Sequence, residues 1–224
     1  MNNNDIQQQV KDIKQSFRQM MDGQVAQSMR QKGVDYHLNW GATLPRLKEM
    51  AEEIKAHPQS LQKGEEFEYS SGWTYSLAIA LWKENIRECK ILATMLMPPD
   101  ELLPEVADIW MEQTETVEMA EQLAFNLMQH VPYAAEKAFL WISSADDLPQ
   151  ICGYHILSRL FMSKQEPNER GINEFMDQAL AALQSPTPSL NKAAMQSIIH
   201  FADMGLVYER IARSAIHSIG LDFI

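Results

Sequence analysis

Apolar residues recur at spacings of three and four along nearly the whole chain, and Pro, Gly, Asp or Asn interrupts the pattern at short intervals. That spacing marks one face of an α-helix. Trp73–Met97, Leu123–Met128, Leu148–Phe161 and Leu190–Met204 all carry it. A succession of such segments predicts an all-α array of antiparallel helix pairs, with almost no room for a sheet. Arrays of this kind usually work through their concave surface.

The pattern divides the chain as follows. Asp5–Met29 reads as one helix, with Ile6, Val10, Ile13, Phe17, Met20 and Met21 on one stripe and Lys11, Lys14 and Arg18 off it. Gly33 and Asn39-Trp40-Gly41 are turn signals. Thr43 is placed to cap a helix running to about Ala56, with Pro45 in its first turn, and His57-Pro58 closes it. The spacing then predicts Glu65–Lys83, with Tyr69, Trp73, Leu77, Ala80 and Leu81 inward, a turn at Glu84-Asn85, and Ile86–Met97 returning to a stop at Pro98-Pro99. Further helices are expected at roughly 102–111, 115–129, 133–143, 149–163, 168–184, 190–204 and 207–219. Pro132, Pro149, Pro167, Pro186 and Pro188 fall at the joints, and Ser189 is placed to cap the penultimate helix. The organisation expected is one domain over 1–224, with N-terminal helices in 1–64 and helix-pair repeats in 65–224.

Composition narrows the function classes. The 224 residues suffice for a core that needs no staples. The longest apolar run, around Ser76–Trp82, is far too short to cross a bilayer, and no basic segment followed by an apolar run opens the chain. No membrane association and a cytoplasmic location are therefore expected. Cys89 and Cys152 sit in apolar helical contexts and read as buried thiols. The 14 methionines read as core filler, and Trp73, Trp82, Trp110 and Trp141 as core aromatics. Trp40, in a turn, has no evident role.

The net charge of −11 is unevenly spread. Residues 1–50 carry 7 basic and 5 acidic side chains, residues 51–146 carry 6 and 17, and residues 147–224 carry 6 and 8. The middle of the chain weighs against tight, non-specific phosphate binding, which draws on clustered Lys and Arg. Lys11, Lys14 and Arg18 are the candidate nucleic-acid contacts. Lys83, Arg87 and Lys90 form either a basic strip or, with Glu84 and Glu88, structural ion pairs. His37, His57, His130, His155, His200 and His217 are scattered without metal-binding spacing, so no metal is expected. Neither a Gly-rich phosphate loop nor a nucleophile elbow is present, and no cofactor is expected.

One stretch is more specific. Leu77–Leu96, LAIALWKENIRECKILATML, has an apolar helix ending in Leu-Trp, a short turn, and an Arg-Glu-containing helix behind it. It resembles the signature of the HEAT-like-repeat DNA alkylation repair family, the AlkD-like DNA glycosylases. Met29–Ile54, and the order of Trp110, Thr114–Ala124, Trp141-Ile142, Leu157–Phe161 and Asn191-Lys192-Ala193, follow the same family, so the resemblance covers most of the chain. It implies a HEAT-like α-α superhelix. In active members, duplex DNA is gripped and an N-alkylated purine is released. A carboxylate stabilises positive charge growing on the sugar, aromatic faces hold the cationic base, and Arg or Lys hold phosphates.

By that resemblance a Trp and, four residues on, an Asp belong at Thr114 and Glu118. Glu118 is thus the candidate catalytic carboxylate, longer than Asp by one methylene; the alternative is a solvated residue on an acidic helix. An Arg belongs near Ile151-Cys152-Gly153-Tyr154, and a second Trp in the Lys192-Ala193-Ala194-Met195-Gln196 stretch. These departures imply a divergent member that serves as a HEAT-like scaffold for DNA or for another protein, without base excision. The alternatives are a glycosylase for N-alkylated purines that uses Glu118, and a repeat module whose acidic middle helices meet a basic protein.

Overall fold

The structure is a computed structural model that describes residues 3–56 and 72–221. Among these residues it is all-helical, with no strand. The expected stop at His57-Pro58 and the expected helical residues Glu65–Tyr69 lie outside the described residues. Two compact units are present, Met1–Leu103 and Pro104–Ile224.

The first unit holds α1 (Asn3–Gln19), α2 (Gly23–Gln31), α3 (Leu44–Ala56), α4 (Gly72–Trp82) and α5 (Arg87–Leu96). Ile6, Val10, Ile13 and Phe17 bury the apolar stripe of α1, which packs on α4. The latter is apolar all round, and it packs on α5 as well. Trp73, Trp82 and the Cys89 thiol are buried, as the pattern predicts.

Asp5–Met29 is not one helix. The Asp22 carboxylate accepts the N–H groups of Gln24 and Val25 at 3.0 Å and so starts a new helix, while Asp22 N–H donates to the Trp40 carbonyl at 2.8 Å. A periodic stripe cannot reveal a break imposed by a partner so distant in sequence.

The second unit holds α6 (Pro104–Glu112), α7 (Val117–Asn126), α8 (Ala134–Ile142), α9 (Asp147–Met162), α10 (Glu169–Leu183), α11 (Pro188–Ala202) and α12 (Leu206–Ser218). Caps set several starts. The Thr116 hydroxyl accepts from Met119 N–H, and the Asn168 side chain accepts from Gly171 N–H. The penultimate helix begins two residues earlier than Ser189 would cap it: Thr187 takes the N-cap position with Pro188 at the first helical residue.

The buried α9 packs on α7, α8 and α11; α11 in turn packs on α10 and α12. Phe161, Phe175 and Phe201 interlock with ring centroids 5.0–5.4 Å apart, and Tyr208 closes on Phe201 at 5.1 Å, which ties α9 through α12 together. Gly153 permits the close crossing of α8 and α9: a Cβ there would stand 2.8 Å from the Ala138 carbonyl oxygen and from Ile142 Cγ2.

Candidate nucleic-acid interface

The family-like Arg-Glu pair is a structural element. Arg87 and Glu88 are both 0% exposed. The Glu88 carboxylate accepts the consecutive backbone N–H groups of Trp40, Gly41 and Ala42 at 3.0–3.3 Å, and Arg87 Nη1 donates to the Ala42 carbonyl at 2.8 Å. This pair fastens the 38–43 loop onto the start of α5. Trp40, unexplained by the sequence, is held there and packs against Phe17 at 5.8 Å. Arg87 therefore belongs to no surface strip. Lys90 lies over the Trp82 ring at 5.3 Å.

The three N-terminal candidates separate. Lys14 Nζ pairs with Glu84 at 2.7 Å, joining α1 to the turn before α5. Lys11 and Arg18 are exposed. In the second unit Glu118 is half-buried in the first turn of α7. Thr114, at the expected Trp position, is 6% exposed and donates to the Trp110 carbonyl at 2.9 Å. Ile151-Cys152-Gly153-Tyr154, where the resemblance puts an Arg, is fully buried in the core against neighbouring helices. Of the last expected aromatic stretch, Met195 is half-buried and Gln196 exposed.

Where α7, α9 and α11 meet, the fold assembles a polar cluster. His155 Nε2 lies 3.7 Å from Glu121 Oε1, and the His155 ring meets Phe125 edge-on at 4.9 Å. One helical turn on, the Arg159 guanidinium covers Phe125 at 4.5 Å. The Ser158 hydroxyl and His200 Nδ1 are hydrogen-bonded at 2.6 Å. Burial, with Arg159 and Lys192 nearby, lowers His155 from its ordinary 6.5 to about 4, so the ring is neutral at pH 7. Burial chiefly, and the Glu118 charge, push the Glu121 carboxyl up, against the pull of Lys192.

The cluster presents two cations, one of them braced on an aromatic ring, beside two carboxylates. Such a set can hold a phosphate and place a negative group nearby. Sequence reasoning missed it as a unit. The signal was present only in pieces: Glu118, Glu121 and Phe125 share a face of α7, as His155 and Arg159 share one of α9.

Among the described residues no group of His, Cys, Asp and Glu is arranged to hold a metal ion, and no helix is long and apolar enough to cross a membrane.

A solved structure described as "A new family of proteins related to the HEAT-like repeat DNA glycosylases with affinity for branched DNA structures" superposes with a TM-score of 0.75 at 14% identity, covering 93% of this chain and 82% of that one. The chain therefore has the HEAT-like repeat fold. No curated protein matches it. The family model described as DNA alkylation repair enzyme matches residues 13–202, and the chain belongs to that family.

Proposed function

We propose that this chain is a DNA-binding scaffold that keeps the helical framework of the DNA alkylation repair family and does not excise bases. The carrying observation is Thr114: a small, buried side chain bonded to its own helix stands where the family resemblance puts a base-stacking Trp. The buried Ile151–Tyr154 stretch supports the same reading, because it leaves no room for a phosphate-reaching Arg.

The face of α7, α9 and α11 is the contact surface proposed for the second unit, with Arg159 and Lys192 holding phosphates. Exposed Lys11 and Arg18 are the contacts proposed for the first. A net charge of −11 restricts such contacts to local patches and favours a shaped DNA target over any duplex. The solved structural neighbour's affinity for branched DNA points to a junction as that target.

A second reading has one observation in its favour. Glu118 keeps a half-buried carboxylate beside Glu121, so a glycosylase using Glu118 is its concrete form. Incubation with duplex containing 7-methylguanine separates the two. The scaffold reading expects no release of free base above the protein-free control. Release that a Glu118→Gln variant abolishes would replace it with the enzyme reading.

A further inference from the structure

On the second unit, α6, α8 and the first turn of α9 surround a cleft of about 780 Å³. Its volume is in the range of ligand-binding clefts. Met111, Leu140 and Trp141 give it apolar walls, and Leu140 is 57% exposed despite its size. Ile109, next along α6 from the cleft residue Asp108, is also 49% exposed.

The polar part of the lining is acidic. Asp108 is paired with Lys137 at 2.9 Å, and Asp147 accepts from the Thr187 hydroxyl at 2.6 Å. Glu112 and Asp146 are exposed, and neither is ion-paired among the described residues. The lining contains no Lys or Arg. Tyr133, near Asp108 and Glu105, has its hydroxyl pushed up to about 12, first by burial and then by these two charges.

We propose that this cleft docks a basic, aliphatic peptide segment of a partner protein. A Lys or Arg of that segment sits between Glu112 and Asp146, and an aliphatic neighbour covers Leu140 beside Trp141. The charge of the lining decides the class of occupant. A nucleic-acid backbone or an anionic lipid surface would meet uncompensated carboxylates, whereas a cationic segment meets complementary charge at the rim and apolar surface within. Thr114 lines one edge of the cleft, but the proposed DNA contacts Arg159 and Lys192, and His155 beside them, are not part of its lining, so the inference does not rest on the DNA reading.

The test titrates the full chain into a fluorescein-labelled peptide, Gly-Leu-Lys-Lys-Leu-Arg-Leu-Lys-Gly, at low ionic strength and follows anisotropy. Saturable binding is expected. The Glu112→Lys/Asp146→Lys variant should weaken it about tenfold, and Leu140→Ser about threefold. Glu169→Lys/Asp177→Lys on α10 changes the net charge equally and should leave it unchanged. Circular dichroism verifies that each variant is helical. The proposal is overturned by absent saturation, by equal loss in the α10 control, by spermidine competing as well as the unlabelled peptide, or by binding of labelled linear duplex DNA that Leu140→Ser weakens.

Discussion

Oε1 of Glu88 accepts the backbone N–H of Gly41 at 3.0 Å, deep in the first unit and 47 positions away in sequence. The same carboxylate takes the N–H groups on either side of Gly41, while Arg87 takes the Ala42 carbonyl. Buried charges so completely hydrogen-bonded are costly to separate. Glu88→Ala should cost about 3–5 kcal/mol, because it removes the buried countercharge of Arg87 and the carboxylate that accepts the Trp40 and Ala42 N–H groups. Urea unfolding monitored by far-UV circular dichroism measures the loss.

Gly41 is the other half of that relationship. Its φ is +81°, and a Cβ would stand 2.2 Å from the Asp22 carbonyl oxygen, which is backbone and cannot swing aside. Gly41→Ala should therefore destabilise by at least about 2 kcal/mol. Asp22→Ala removes only the α2 cap and should cost about 1 kcal/mol. Paired urea melts check the ranking; equal stability of Gly41→Ala and wild type would remove the loop from the account of the first unit.

His155 sets a pH dependence whose sign follows from its lowered value. Unfolded, the ring takes up a proton as the pH falls through 6.5; folded, it does so only near 4. The unfolded state thus binds more protons between these values, and stability falls as the pH drops through that window. Between pH 7 and pH 5 the loss from this group is about 2 kcal/mol. Glu121 works the other way: its raised carboxyl is protonated earlier in the folded state and offsets part of the loss toward the acid end. A His155→Gln variant should show a flatter fall in urea midpoint from pH 7 to pH 5 than the wild type.

Cys89 and Cys152 are free and buried, and burial is the main force raising both thiols. Little thiolate forms at neutral pH, and reagent cannot reach it. Ellman's reagent should find neither thiol in the native protein and both in concentrated urea. Rapid native reaction of Cys152 would contradict the packing of α9.

The helix pairs are legible in the sequence because Pro188 and its like fall at joints and the apolar stripes are wide. The break at Asp22 is not legible, since it depends on the Trp40 carbonyl arriving from elsewhere. Arg87-Glu88 reads as a surface or signature pair for the same reason: its burial depends on the 38–43 loop folding over it. The polar cluster was hidden by distance along the chain, because Glu121, His155 and Lys192 share a neighbourhood only when α7, α9 and α11 are side by side. Thr114 and Gly153, in contrast, could be read directly as lacking the expected aromatic and basic chemistry, and packing explains why each is small.

The most direct test of the DNA-scaffold reading is the affinity for a labelled four-way junction, measured across a salt series for wild type and for Arg159→Ala/Lys192→Ala. The account predicts tighter binding to the junction than to linear duplex, and a log–log salt slope reduced by about 2 in the double variant, the loss of two phosphate contacts. A junction affinity no better than duplex, or a slope that the double substitution leaves unchanged, would contradict it.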